Sequence, residues 1–256
     1  MRAGFSLVEL SIVLVILGLL TGGILSGQSL IRAAEVRGVS SDYQRFTAAV
    51  YTFRDKYFAM PGDMPNATTF WGVAGGNGED ADCHETVSTG TETCNGDGDG
   101  QIKGPASPFN ERYRFWQHLA NAALIEGQYT GTLATESGYA DIYVGGVNVP
   151  VSRLGGSNYW HATYKNASTG SASTFAFSAA NQLMSSPAGL TPQECWNLDM
   201  KMDDGRPGTG KQIAFKGDAT YPVTTAAGIL PPGDADAEYN FAETSKVCNP
   251  IFSLGQ

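Results

Sequence analysis

The opening stretch, MRAGFSLVELSIVLVILGLLTGGIL, constrains this chain more than any other segment. From Phe5 to Leu25 it is apolar apart from Ser6, Ser11, Thr21, the glycines and Glu9. That length is about what a helix needs to cross the hydrocarbon core of a bilayer. Arg2 is the sole basic side chain ahead of it, so the positive-inside rule places the amino end on the cytoplasmic side. A cleaved secretory signal does not account for the stretch. Glu9 lies where the apolar core of a signal would be, at a cost of roughly 2.5–3.5 kcal/mol on insertion scales, and no A-x-A-like site follows.

The helical pattern also continues beyond the apolar run. Val39, Tyr43, Phe46, Val50, Phe53 and Tyr57 recur at alternating spacings of four and three, while Arg37, Asp42, Arg45, Arg54, Asp55 and Lys56 lie off that stripe. We therefore expect one helix from Phe5 to about Phe58, roughly 80 Å long at 1.5 Å per residue and ended by Met60-Pro61-Gly62. The expected organisation is a leader at 1–4, an apolar half-helix at 5–27, an amphipathic half-helix at 28–60 and a globular domain at 61–256. The first half needs lipid or other copies of itself, and the second can pack its stripe on the globular domain.

Gly4-Phe5-Ser6-Leu7-Val8-Glu9, followed by the apolar run, resembles the amino-terminal signature of type IV prepilins and of the pseudopilins of type II secretion. The resemblance implies that a dedicated membrane peptidase cuts after Gly4 and methylates Phe5. It also implies that Glu9 meets the terminal amine of a neighbouring subunit during assembly. A carboxylate in hydrocarbon recovers much of its cost when it pairs with a cation, so Glu9 would favour docking in one register. Where many pilins carry a helix proline, this chain has Thr21-Gly22-Gly23 and Gly27, weak helix formers that could let the segment melt in a filament.

The remainder is rich in Gly, Ser, Thr, Asn and Asp, as expected of a loop-rich domain. Residues 57–105 are turn-rich, show neither helical nor strand period, and most resemble an elaborated surface loop. A helix is expected at Asn110 to Glu126, strands around 140–152, 159–164, 174–178 and 212–215, and a second helix after Thr191, where Pro192 and Glu194 supply a capping box and Gly205 a stop. Asp203-Asp204-Gly205-Arg206-Pro207 is similar to a turn recurring near the carboxy terminus of pilin-like proteins. The expected class is α+β and pilin-like: a long amino-terminal helix packed on an antiparallel sheet, with disulfide-stapled loops. Cys83, Cys94, Cys195 and Cys248 allow three connectivities, of which we favour the sequential one. Cys83-His84 with Cys94 makes a poor zinc set, lacking a C-x-x-C pair and lying far from His118 and His161.

Chemistry beyond assembly is sparse. In CNGDGDGQI, Asn95, Asp97, Asp99 and the Gln101 carbonyl match the first half of an EF-hand-type calcium loop, but position twelve is Ala106. Glu79, Asp80, Asp82 or Glu111 would have to complete the site; the alternative is a solvated Asp-Gly turn. Asp199, Asp203 and Asp204 read as a capped helix end, and Trp71, Trp116, Trp160 and Trp196 as core. No nucleophile motif, H-E-x-x-H or phosphate loop occurs, so catalysis is not expected. The net charge of -9 disfavours nucleic acid as a partner.

The expected function is a structural pilin that polymerises after cleavage. Its partners are other copies, the prepilin peptidase and inner-membrane assembly machinery. Before assembly the chain sits in the inner membrane with its globular domain in the periplasm, and afterwards in an extracellular filament or periplasmic pseudopilus. Alternatives are a minor pilin or secretion pseudopilin and, in a different class, a membrane-tethered ligand-binding protein.

Overall fold

Ser6 opens helix α1, Leu7–Tyr57, which runs unbroken for 51 residues through Gly22, Gly23 and Gly27. It ends at Phe58, in the left-handed region at φ 54°, whose N–H donates to the Arg54 carbonyl at 2.8 Å. The computed structural model describes residues 6–79, 81–104, 111–132, 143–154, 158–165, 172–179, 189–216 and 236–254. Gly4, Phe5, Asp80 and Ala106 lie outside them.

The two halves of α1 differ as their sequences do. Val39, Phe46, Val50 and Phe53 are at most 2% exposed, whereas Leu7 is 86%, Leu19 73% and Ile31 61% exposed. Phe46 meets Trp116 edge-on at 4.9 Å and Trp160 at 5.8 Å, and Tyr43 lies 4.8 Å from Phe252. Two tyrosine hydroxyls fix the register, Tyr43 donating to the Ser253 carbonyl at 2.9 Å and Tyr51 to that of Leu254 at 2.7 Å.

The globular part contributes α2 (Thr68–Trp71), α3 (Ala81–Glu85), α4 (Glu111–Asn121), β1 (Asn158–Lys165), β2 (Ala172–Ala179), α5 (Pro192–Met202), β3 (Gln212–Lys216) and β4 (Cys248–Ser253). The strands form an antiparallel sheet of order β1-β2-β4-β3, in register at Trp160 with Phe177, Phe175 with Phe252, and Ile213 with Ile251. Cys83 is bonded to Cys94, and Cys195 of α5 to Cys248 of β4. Arg114, fully buried on α4, ties the first disulfide loop down by donating to the carbonyls of Cys83 at 2.8 Å and Thr86 at 3.1 Å. Trp116 and Trp160 are core, while Trp71 and Trp196 pack on its edge.

Three expectations need correction. Residues 58–105 contain α2 and α3, each only about one turn and too short to show a period. The expected strand at 140–152 lies partly outside the described residues, and from 143 onward it is a turn with isolated bridges. There the Asn148 carboxamide accepts the Val144 N–H at 2.7 Å and Gly146 sits at φ 80°. Helix α4 stops at Asn121, because Leu124 N–H turns back to the Leu119 carbonyl and Ala123 N–H to that of Ala120, with Ala123 at φ 56°.

Candidate functional site

The first candidate site is the amino-terminal half of α1. Among the described residues this is the helix long and apolar enough to cross a membrane, and none of its apolar window is buried. At its start Glu9 closes a capping box, its Oε2 accepting the Ser6 N–H at 2.9 Å while Ser6 Oγ accepts from Val8 N–H at 3.3 Å. The sequence reading missed this role, although the S-x-x-E spacing of Ser6 and Glu9 carries it. One Glu9 oxygen thus serves its own helix.

The second is the loop carrying Asn95, Asp97, Asp99 and Gln101. Asp97 and Asp99 come together with Asp63, which sequence reasoning missed, their ligand atoms lying within 4.8 Å of one another. Asp63 Oδ1 accepts the N–H groups of Gly98 at 2.7 Å and Asp99 at 3.1 Å, and Oδ2 that of Gly100 at 2.8 Å. The approach is so close that a Cβ on Gly96 would lie 2.4 Å from Asp63 Cα. Burial pushes Asp63 up to about 6 against the opposing effect of those N–H groups. Asn95 Oδ1 accepts the Thr68 N–H at 2.9 Å, and its Nδ2 faces Glu79. Gln101 reaches the cluster through its N–H, which donates to Asp99 Oδ1 at 2.9 Å.

Glu111 folds over this loop, as the calcium reading requires of an extra acid, but it accepts the N–H groups of Asp97 at 3.2 Å and Lys103 at 2.8 Å. Burial raises it to about 8. The donor set is all oxygen and suits a hard cation. Lys103 already supplies one: its ammonium contacts Asp97 and lies 2.7 Å from Asp99, and these two carboxylates raise its pKa.

A third acidic group, Asp199, Asp203 and Asp204, is spent on backbone and hydroxyl donors. Asp199 accepts the Tyr239 hydroxyl at 2.7 Å and the Gly205 N–H at 3.3 Å, Asp203 the N–H groups of Lys211 and Gln212, and Asp204 those of Arg206 and the Thr209 hydroxyl. Burial lifts Asp199 to about 7. His118 is likewise structural. Its Nδ1 accepts the Gly62 N–H at 2.9 Å, and burial, aided by Arg114, lowers it to about 3.

A long half-exposed helix, a small antiparallel sheet and two disulfides define an α+β architecture of pilin-like type. Residues 1–25 match the prokaryotic N-terminal methylation motif, so the chain carries the type IV prepilin signal. Neither the curated proteins nor the solved structures gave a match.

Proposed function

We propose that this chain is a structural subunit of a type IV filament, cleaved after Gly4 by the prepilin peptidase, methylated on Phe5 and polymerised through the apolar half of α1. The observation that carries this reading is the exposure of Leu7 through Ile31 on a chain bearing the methylation motif. An apolar surface of that extent needs lipid before assembly and sister helices after it. Glu9 fits the register-setting role, because Oε1 makes no hydrogen bond among the described residues and is open to a neighbour's amine. Two disulfides suit an oxidising compartment, which supports a globular domain outside the cytoplasm.

The test is genetic and biochemical. In cells lacking the prepilin peptidase the chain should keep Met1 to Gly4 and stay out of the sheared filament fraction. Unchanged incorporation without the peptidase would refute the reading.

A further inference from the structure

A groove of about 400 Å³ lies between α1 and α5, just past Leu30 and Ile31, which are 71% and 61% exposed. Val36 and Leu198 form its apolar floor, and the Arg32–Glu194 ion pair closes one end. Arg37 and Lys201 stand exposed on its walls, and neither side chain has an ion-pair partner among the described residues. In a chain of net charge -9 this is a local excess of cations, positive even when Glu35, which pairs with Arg32 from outside, is counted.

The groove's height along α1 indicates what it meets. Twenty residues at 1.5 Å span about 30 Å, the hydrocarbon thickness, so with Ile31 at one edge the other falls at Ile12. Arg32 to Arg37 occupy the next 8 Å or so, the depth of one headgroup layer. Long basic side chains at that height reach phosphate while their stems lie on apolar surface.

The geometry points to a binding site for the headgroup phosphate of an anionic phospholipid in the leaflet facing the globular domain, held by Arg37 and Lys201 over the Val36–Leu198 floor. This rests on the reading of α1 as membrane-seated before assembly. The groove would hold the globular domain down on the bilayer, and its lipid would have to leave when the subunit is extracted.

The full uncleaved chain, placed in nanodiscs of mixed phosphatidylglycerol and phosphatidylethanolamine, tests this by native mass spectrometry of the lipids it retains. Wild type should retain phosphatidylglycerol in excess of its bulk share, by about fivefold per cation. Arg37→Ala with Lys201→Ala should return retention to the bulk ratio, and Arg37→Lys with Lys201→Arg should preserve the excess. Both positions are exposed, so near-ultraviolet circular dichroism should show the fold unchanged. A bulk lipid ratio in wild type, or the same excess in the double alanine variant, overturns the proposal while leaving membrane seating intact. A wild-type chain that fails to enter the nanodiscs overturns the membrane reading and the lipid site together.

Discussion

Arg32 of α1 and Glu194 of α5 meet in a two-point ion pair, Nε to Oε1 at 2.6 Å and the second guanidinium nitrogen to Oε2 at 2.9 Å. Arg32 also donates to the Gly189 carbonyl at 2.8 Å, and Glu194 Oε2 accepts the N–H of Thr191, the N-cap of α5, to complete its capping box. One contact therefore joins the exposed helix to the domain and caps α5. The pair raises the Arg32 pKa and lowers that of Glu194, with burial opposing both shifts.

Arg32→Met should cost about 1–2 kcal/mol, as expected for a partly buried bidentate pair rather than an exposed one. Glu194→Gln should cost less than Glu194→Ala, because glutamine keeps the cap. Thermal unfolding of the disulfide-intact domain checks the order, and equal losses for Gln and Ala would contradict the capping role.

Glu9→Gln separates the two roles of that residue. Glutamine at the third helix position can still accept the Ser6 N–H, whereas alanine cannot. Both variants should enter the membrane and both should be missing from filaments, because the missing element is charge. Incorporation of the glutamine variant at wild-type level would show that Glu9 acts only as a cap.

Asp199 predicts a specific pH dependence. Its folded value of about 7 lies above the ordinary carboxylate value, so the folded chain binds the extra proton and this contribution to stability falls as pH rises from about 4 to about 7. The slope is at most about 1.4 kcal/mol per pH unit. Asp199→Asn should flatten that part of the stability profile, raising stability above pH 7 relative to wild type. Urea midpoints at pH 5 and pH 8 measure it, and an unchanged difference between the two would contradict the assignment.

Lys103 neutralises Asp97 and Asp99, so Lys103→Ala should lower the melting temperature, more at low than at high salt. Calcium should restore stability to that variant more than it adds to wild type, since the wild-type carboxylates already share an ammonium. Calcium titrations followed by thermal unfolding compare the two. An equal or larger rise in wild type would contradict this reading of Lys103.

The sequence exposed most where spacing is long and regular. The stripe from Val39 to Tyr57 specified both the helix and its buried face, and Thr191-Pro192 with Glu194 marked the start of α5. Strand β4 was hidden by Pro250, which argues against a strand interior. It is tolerated because β2 pairs with β4 only from Ile251 onward, and the Ala214 N–H opposite Pro250 turns to the Pro207 carbonyl. Helix α4 is terminated by Ala123, two residues past its end in the left-handed region, where glycine would have signalled the stop. Asp63 escaped notice because it is 34 residues before Asp97, and only the fold brings Pro61-Gly62-Asp63 under the loop. Glycine was the available signal: a Cβ at Gly62 would lie 2.6 Å from the Glu111 carbonyl oxygen.

The intact mass of this chain, recovered from filaments sheared off its native cells and measured before and after reduction, tests the central claim most directly. The account predicts a chain that begins at methylated Phe5 and gains about four hydrogens on reduction, two for each disulfide. A chain found only in the membrane fraction, still carrying Met1 to Gly4, would contradict it.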